Sequence, residues 1–403
     1  MLPAAEDAPS FTLALRTPGS LRRIFRPPVE LSLGEAYLRR DFEIEGDLIG
    51  AFALAPAARE ALRSPRVLLR AARLWRGLPR DAGEGALPVH EPVHLTGGIH
   101  ARQRDQAAIQ YHYDVGNEFY QLFLDPRMLY SCAYFPGSTE TIGEAQAAKL
   151  ELICRKLRLR PGERLLDIGC GWGGLLIYAA KNFGISGLGV TLSKEQHRLA
   201  SERVREAGLE GTLRIEFRDY RDIAGESFDK IVSVGMFEHV GRAGKEQYFA
   251  NAYRLLEPGG LFLNHAISNR PARERSAGAR ALEDRFVGSY QFRTRYIFPD
   301  GELMPVSEAN LEAERHGFEV RDVEDLREHY ALTLRHWLRA LRANRDEAIH
   351  LSGEPMFRLW EMYLAGSIYH FETAQVFLHQ SLLARPDARG IVRIPSSRMD
   401  LYA

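Results

Sequence analysis

Apolar and polar positions change their period several times along this chain. Phe11, Leu13 and Leu15 alternate with their neighbours as in a half-buried strand. Pro18-Gly19 and Pro27-Pro28 then break the chain, and V-E-L-S-L-G-E-A-Y-L and D-F-E-I-E-G-D-L follow, which predicts a small α+β unit. Residues 59 to 80 differ: Arg59, Arg63, Arg66, Arg70, Arg73, Arg76 and Arg80 stand against a single acid, Glu60. Arg63, Arg66, Arg70 and Arg73 fall three and four apart and share one face of a helix, with Leu62, Leu69 and Leu74 off that face and Trp75 near the end. Such a helix is either a solvated face or one suited to an anionic membrane surface, and Pro65 is expected to shorten it. Residues 81 to 98, rich in Gly and Pro, read as a linker.

From residue 104 onward aromatic and polar residues crowd together, in Y-H-Y-D-V-G-N-E-F-Y and again in M-L-Y-S-C-A-Y-F. Tyrosines bring an apolar body and a polar tip, so this composition suits the wall of a site better than a core. Thr141 and Glu144 form a capping-box pattern for a helix to about Leu157. Strands are then expected at 165–168, 187–192, 213–217, 228–234, 261–267, 317–323 and 374–384, separated mostly by helical stretches. That alternation implies an α/β fold built on a mostly parallel sheet. Residues 270–305 hold no clear strand and read as an insertion, and two late helices are expected over about 330–345 and 354–373.

One stretch concentrates the chemistry: L-L-D-I-G-C-G-W-G-G, residues 165–174. An apolar pair leads into Asp167, and Gly169, Gly171 and Gly173 follow at every second residue. This is a buried strand ending in a turn whose backbone passes close to a ligand. Gly169, Gly171 and Gly174 also spell G-x-G-x-x-G, the dinucleotide fingerprint. A nicotinamide site needs an acid at the end of the second strand, but Val190-Thr191-Leu192-Ser193 stands there and no carboxylate precedes Glu195. The Asp-x-Gly-x-Gly-x-Gly element is the mark of class I methyltransferases, which bind S-adenosylmethionine. Nicotinamide or other nucleotide binding stays as the alternative at this point.

Composition narrows the field only modestly. The 403 residues carry 53 basic and 53 acidic side chains, so overall charge does not point to nucleic acid. Three cysteines (Cys132, Cys154, Cys170) without paired spacing argue against a disulfide framework or structural zinc and fit a cytoplasmic protein. No signal peptide is expected, and no uncharged apolar run reaches the roughly 18 residues of a membrane span.

Glu238, in G-M-F-E-H-V after the fourth strand of the glycine-loop series, and His265, in the apolar fifth strand, fall at carboxyl ends of strands. A histidine in an apolar strand is ordinarily a core residue. In the usual methyltransferase strand order these two strands are adjacent, so Glu238 and His265 should converge near the methyl donor. No third ligand and no His-x-x-x-His pair accompanies them, so no metal is expected.

Y-H-Y-D-V-G-N-E-F-Y-Q-L-F-L-D-P-R-M-L-Y-S-C-A-Y-F, L-D-I-G-C-G-W-G, T-L-S-K-E-Q, R-D-Y-R-D, V-G-M-F-E-H-V-G and Y-I-F-P-D-G, in this order, resemble the cyclopropane-fatty-acyl-phospholipid synthase family over most of the chain. The resemblance implies a Rossmann-like, mostly parallel seven-stranded sheet in residues 104–403 (insertion about 270–305). It also implies a smaller lipid-binding α+β domain in residues 1–80, with 81–103 as linker.

It further implies that S-adenosylmethionine gives a methylene group to the cis double bond of an unsaturated phospholipid acyl chain. Bicarbonate acts as the base in that reaction. Carried over by motif, the bicarbonate ligands fall on Glu238, His265 and Tyr330, with backbone contacts near Cys132 and Ile267. The cofactor contacts fall on Tyr130, Ser131, Asp167, Gly169, Gly171, Thr191, Ser193, Gln196, Tyr220 and Arg221. The implied partner is an anionic bilayer reached from the cytoplasmic face, with no nucleic acid, and family members often form homodimers. In one departure, Y-L-A-G-S places Ser367 where the family commonly has cysteine. Methylation without ring closure is therefore kept as an alternative.

Overall fold

The computed structural model describes residues 10–61, 64–79, 95–113, 115–137, 140–271, 285 and 291–402. The chain divides into two units: one of residues 1–92, 272–297 and 341–369, the other of residues 93–271, 298–340 and 370–403.

In the first unit, strands β1 (Phe11–Leu15) and β2 (Phe42–Gly46) pair antiparallel, with Leu13 opposite Ile44. The helix Val29–Leu38 buries Ala36, Tyr37 and Leu38 beside Phe42. Gly34 on this helix admits the Phe292 ring so closely that an added Cβ would lie 2.2 Å from it. Residues 341–369 group here for a visible reason. The Arg358 guanidinium stacks on Tyr37 at 4.0 Å and donates to the Tyr37 carbonyl and to Glu43, each at 2.8 Å. The arginine-rich stretch forms two helices, Leu54–Ala61 and Pro65–Gly77. Pro65 begins the second, where a missing N–H costs nothing. Arg63 and Arg80 lie outside the described residues.

The second unit is a seven-stranded sheet in the order β5-β4-β3-β6-β7-β9-β8. Its strands are β3 (Arg164–Ile168), β4 (Ser186–Thr191), β5 (Leu213–Phe217), β6 (Phe228–Val234), β7 (Leu256–Asn269), β8 (Glu319–Asp325) and β9 (Val376–Ala384). The first five run parallel; β9 is antiparallel to both β7 and β8. This is the mostly parallel seven-stranded sheet that the sequence predicts.

Both faces of the sheet are buried. Leu166, Ile231, Phe262 and Leu383 belong to one apolar cluster, while their chain neighbours Leu165, Val232, Leu263 and Leu382 belong to another. Successive side chains point to opposite faces, so a strand covered on both sides must be apolar at consecutive positions. The helix Ile142–Leu157 covers one face, and its Thr141–Glu144 capping box is formed on both sides. Among the described residues, no helix is long and apolar enough to cross a membrane.

Candidate functional site

The carboxyl ends of the parallel strands open into a cavity. At the end of β3, Gly169, Gly171 and Gly173 all adopt positive φ (81°, 54° and 76°), so the every-second-residue spacing is one of backbone conformation. At Gly169 a Cβ would also sit 2.8 Å from the Met236 side chain. Asp167 is buried in the cavity wall, and burial pushes its carboxyl up to about 7, partly countered by the nearby Lys149 ammonium.

Lys149 also lines the cavity. It donates to the Ser131 hydroxyl at 2.9 Å and is pushed down to about 8 by burial, countered by Asp125 among other acids. One turn earlier, Gln146 donates to the carbonyls of Leu129 and Ser131 at 3.2 and 2.9 Å. The helix Ile142–Leu157 thus holds the segment that presents Tyr130 and Ser131 to the cavity.

At the end of β4 the Thr191 hydroxyl donates to the Gln196 side-chain oxygen at 2.8 Å, and both line the cavity. Ser193 stands behind them as the cap of the next helix, accepting from the Gln196 N–H at 3.2 Å, and does not itself line the cavity. Hydroxyls and an amide occupy the place where a dinucleotide fold needs an acid. After β5, Tyr220 and Arg221 reach the cavity. Arg221 is fixed between Asp219 at 2.6 Å and Asp105 at 3.0 Å. Tyr113, Tyr130 and Trp172 add aromatic wall, with Trp172 anchored to Asn117 at 2.7 Å.

Glu238 lies beyond β6 in a short 3-10 turn, buried, and its Oε1 accepts the Ile267 N–H at 2.6 Å. His265 on β7 stands opposite Val234 of β6 and is 1% exposed. Burial and the Lys149 and Lys156 charges hold its imidazole well below the usual range. Tyr330 is buried on the helix Arg327–Ala343, its ring 4.7 Å from that of Phe371. The Cys132 thiol, pushed up by burial, contacts the Ala133 and Leu326 carbonyls at 3.1 and 3.8 Å.

None of Glu238, His265, Tyr330, Cys132 and Ile267 lines the cavity itself. A chain of contacts nevertheless links four of them. Cys132 touches Leu326, Leu326 donates to Leu378 at 2.7 Å, Leu378 faces Ile267 across the sheet, and Ile267 donates to Glu238. Tyr330 donates its own N–H to the same Leu326 carbonyl at 3.0 Å. His265 is two residues from Ile267 on β7, and its carbonyl accepts from Gly235, a cavity residue. His239 lines the cavity and is pushed down to about 4 by burial.

Lys149, Asp105 and Trp172 also line the cavity and are not among the site residues read from the sequence. The signal available for Lys149 was a lysine on the apolar stripe of a helix, at the spacing of Ala145 and Ile153.

The model of the family described as mycolic acid cyclopropane synthetase matches residues 100–381. A probable fatty acid methyltransferase of Pseudomonas putida is 39% identical over 98% of this chain and 92% of its own length. The cyclopropane-fatty-acyl-phospholipid synthase of Escherichia coli is 37% identical over 76% of this chain and 77% of its own. Among solved structures, the mycolic acid cyclopropane synthase CmaA1, complexed with SAH and CTAB, is similar with a TM-score of 0.64 and 34% identity. That match covers 69% of this chain and 98% of that one.

Proposed function

This chain belongs to the mycolic acid cyclopropane synthetase family of S-adenosylmethionine-dependent methyltransferases, and on that premise we propose that it cyclopropanates unsaturated acyl chains of membrane phospholipids, with bound bicarbonate as base. S-adenosylmethionine, when bound, supplies an electrophilic methyl group. The residues present fit it. A buried carboxyl raised to about 7, as at Asp167, gains from a cation such as the cofactor's ammonium. Tyr130, Ser131 and the glycine turn would hold the rest of the amino-acid end. Thr191 and Gln196 would meet the ribose, and Tyr220 and Arg221 the base.

The acyl alkene is its own nucleophile and needs no deprotonation before it attacks. The protein's tasks are to position it, to exclude water and to tolerate positive charge on the chain. The aromatic wall of Tyr113, Tyr130 and Trp172 suits the last task. Ring closure then requires removal of one proton from the transferred carbon. Glu238, His265 and Tyr330 would hold a bicarbonate, which when bound would supply the base. Glu238, one oxygen of which accepts the Ile267 N–H at 2.6 Å, would share a proton with that anion through the other.

The observation that carries the reading is His265. Its Nε2 is buried without a hydrogen-bond partner among the described residues, beside the strand position that anchors Glu238. A buried ring nitrogen of this kind calls for a ligand.

The proposed partner is an anionic bilayer reached from the cytoplasmic side, and the amphipathic arginine helix Pro65–Gly77 supports it. The test is incubation with S-adenosylmethionine and vesicles of unsaturated phospholipid, followed by fatty-acid analysis. We expect acyl chains heavier by one CH2 that resist hydrogenation, and slower turnover in carbon-dioxide-free buffer. No mass gain on any unsaturated lipid would sink the reading.

A second reading has its own observations. Ser367, half-buried on the helix Glu354–Glu372, replaces the cysteine common in cyclopropane synthases, and the Pseudomonas relative carries a fatty acid methyltransferase name. If proton loss follows a hydride shift, the product is a methylene branch, and it takes up hydrogen in the same analysis.

A further inference from the structure

Three strands carry one row of polar side chains through an apolar sheet. Glu324 on β8 pairs in register with Gln380 on β9, and Gln380 pairs with His265 on β7. Directly opposed residues of neighbouring strands point to the same face. Lys156, in the last turn of the helix Ile142–Leu157, meets this row. It is 1% exposed, forms an ion pair with Glu324, and places its ammonium 2.8 Å from the Gln380 side-chain oxygen. On its other side the Gln380 side-chain nitrogen lies 3.1 Å from His265 Nδ1.

The direction of every bond in this row is forced. An ammonium has three donors and no acceptor, so the atom of Gln380 facing Lys156 is the carbonyl oxygen. The atom facing His265 is then the NH2 group, which can only donate. His265 Nδ1 must accept, so it carries no proton. An imidazole bare at Nδ1 is neutral and holds its single proton on Nε2, the nitrogen that has no partner among the described residues.

We propose that Gln380, pinned by Lys156, is a positioning residue that locks His265 as a neutral imidazole with its proton on Nε2, ready to donate to an anion. Two further facts agree. The positive charges facing His265 are Lys149 and Lys156, and with burial they disfavour the imidazolium. The negative charge in the row, Glu324, is engaged by Lys156. If Gln380 turned over, Nδ1 would become the donor and Nε2 a bare acceptor, which repels an anion. The lysine therefore works at one remove, through the amide, on which ring nitrogen carries the proton.

The consequence for turnover rests on the bicarbonate reading; the protonation pattern of His265 does not, and the test separates them. The full chain labelled with 15N-histidine is observed by long-range proton–nitrogen correlation, and His265 is assigned by the signals lost in His265→Gln. We expect a bare Nδ1 and a protonated Nε2 across neutral pH. Gln380→Glu keeps the side-chain shape and the partner for Lys156 but offers His265 only acceptors. It should move a proton to Nδ1 and slow kcat by about a hundredfold, with KM for S-adenosylmethionine changing far less. Lys156→Met should blur the pattern and slow kcat, and Lys156→Arg should restore both. A wild-type spectrum with the proton on Nδ1 overturns the proposal, and this one measurement decides even if a variant fails to fold. So does an unchanged His265 pattern in folded Gln380→Glu. A protonated Nε2 together with bicarbonate-independent turnover would keep the proposal and remove the bicarbonate reading instead.

Discussion

The Lys149 ammonium donates to the Ser131 hydroxyl at 2.9 Å from a position that is only 1% exposed, on the cavity wall it shares with Asp167. Two buried charges of opposite sign thus stand where the amino-acid end of the cofactor is proposed to bind. Each is costly to bury, and the protein offsets this only partly through their mutual attraction.

This pair gives the apo protein a distinctive pH profile. Asp167 is raised from 3.8 to about 7, so the folded chain holds an extra proton through that window and stability falls as pH rises from about 4 to 7. Lys149 is lowered from 10.5 to about 8, so its contribution is lost as pH falls through about 8 and regained toward 10.5. The contribution of the pair is least favourable between about 7 and 8, where both groups are charged. Asp167→Asn should flatten the acidic limb, an effect on the order of a few kcal/mol. Thermal unfolding of both proteins across pH checks this, and parallel curves would refute it.

Glu238→Gln should leave the fold intact, because an amide oxygen can still accept the Ile267 N–H that Glu238 accepts at 2.6 Å. It would lose the shared proton proposed for Glu238 and, with it, the orientation of the proposed anion. We expect affinity for S-adenosylhomocysteine within about threefold of wild type and turnover slower by about a hundredfold or more. Calorimetry and single-turnover product analysis measure the two separately. Full activity in this variant would remove Glu238 from the bicarbonate site.

The sequence exposed the sheet because β3, β6 and β7 contribute to the apolar clusters on both of its faces and so carry consecutive apolar residues between turn signals, while β5 at the edge alternates. Asp167 and the glycines were legible for the same reason, since they end such a run. Thr191 to Gln196 showed itself by what was missing there. Lys156 and Gln380 were not legible. A lysine in a helix reads as a solvated residue, and only strand register brings Gln380 between Lys156 and His265. The grouping of residues 341–369 with the N-terminal residues was equally hidden. It depends on contacts such as Arg358 to the Tyr37 carbonyl, which join residues 321 positions apart.

Gly169→Ala tests the glycine turn. Alanine would have to adopt φ 81°, and its Cβ would lie 2.8 Å from Met236 Cγ. Positive φ costs a non-glycine residue roughly 1–2 kcal/mol before any steric term. We expect a lower melting temperature and at least tenfold weaker cofactor binding. Gly208→Ala serves as the control: it too has positive φ (68°), but a Cβ there meets nothing within 4 Å. It should lose stability and keep cofactor affinity. Equal cofactor losses in both would show that strain alone, and not proximity to the site, is responsible.

Arg66, Arg70 and Arg73 share one face of the helix Pro65–Gly77 and are all exposed. Val67 and Leu74 lie on another face, 39% and 65% exposed, so apolar side chains are available beside the charged stripe. The far end of the helix is tied down. The Arg22 guanidinium stacks on Trp75 at 4.3 Å and donates to the Trp75 and Leu78 carbonyls at 3.2 and 3.3 Å. A held basic helix with free apolar positions suits an anionic headgroup layer, where each cation contributes about 1 kcal/mol. Reversing Arg66, Arg70 and Arg73 to Glu together should weaken binding to anionic vesicles by at least about a hundredfold. Cofactor affinity should stay unchanged, and wild-type vesicle binding should itself fall at high salt. Flotation with anionic and neutral vesicles measures this, and undiminished binding of the triple variant to anionic vesicles would rule the helix out as the membrane contact.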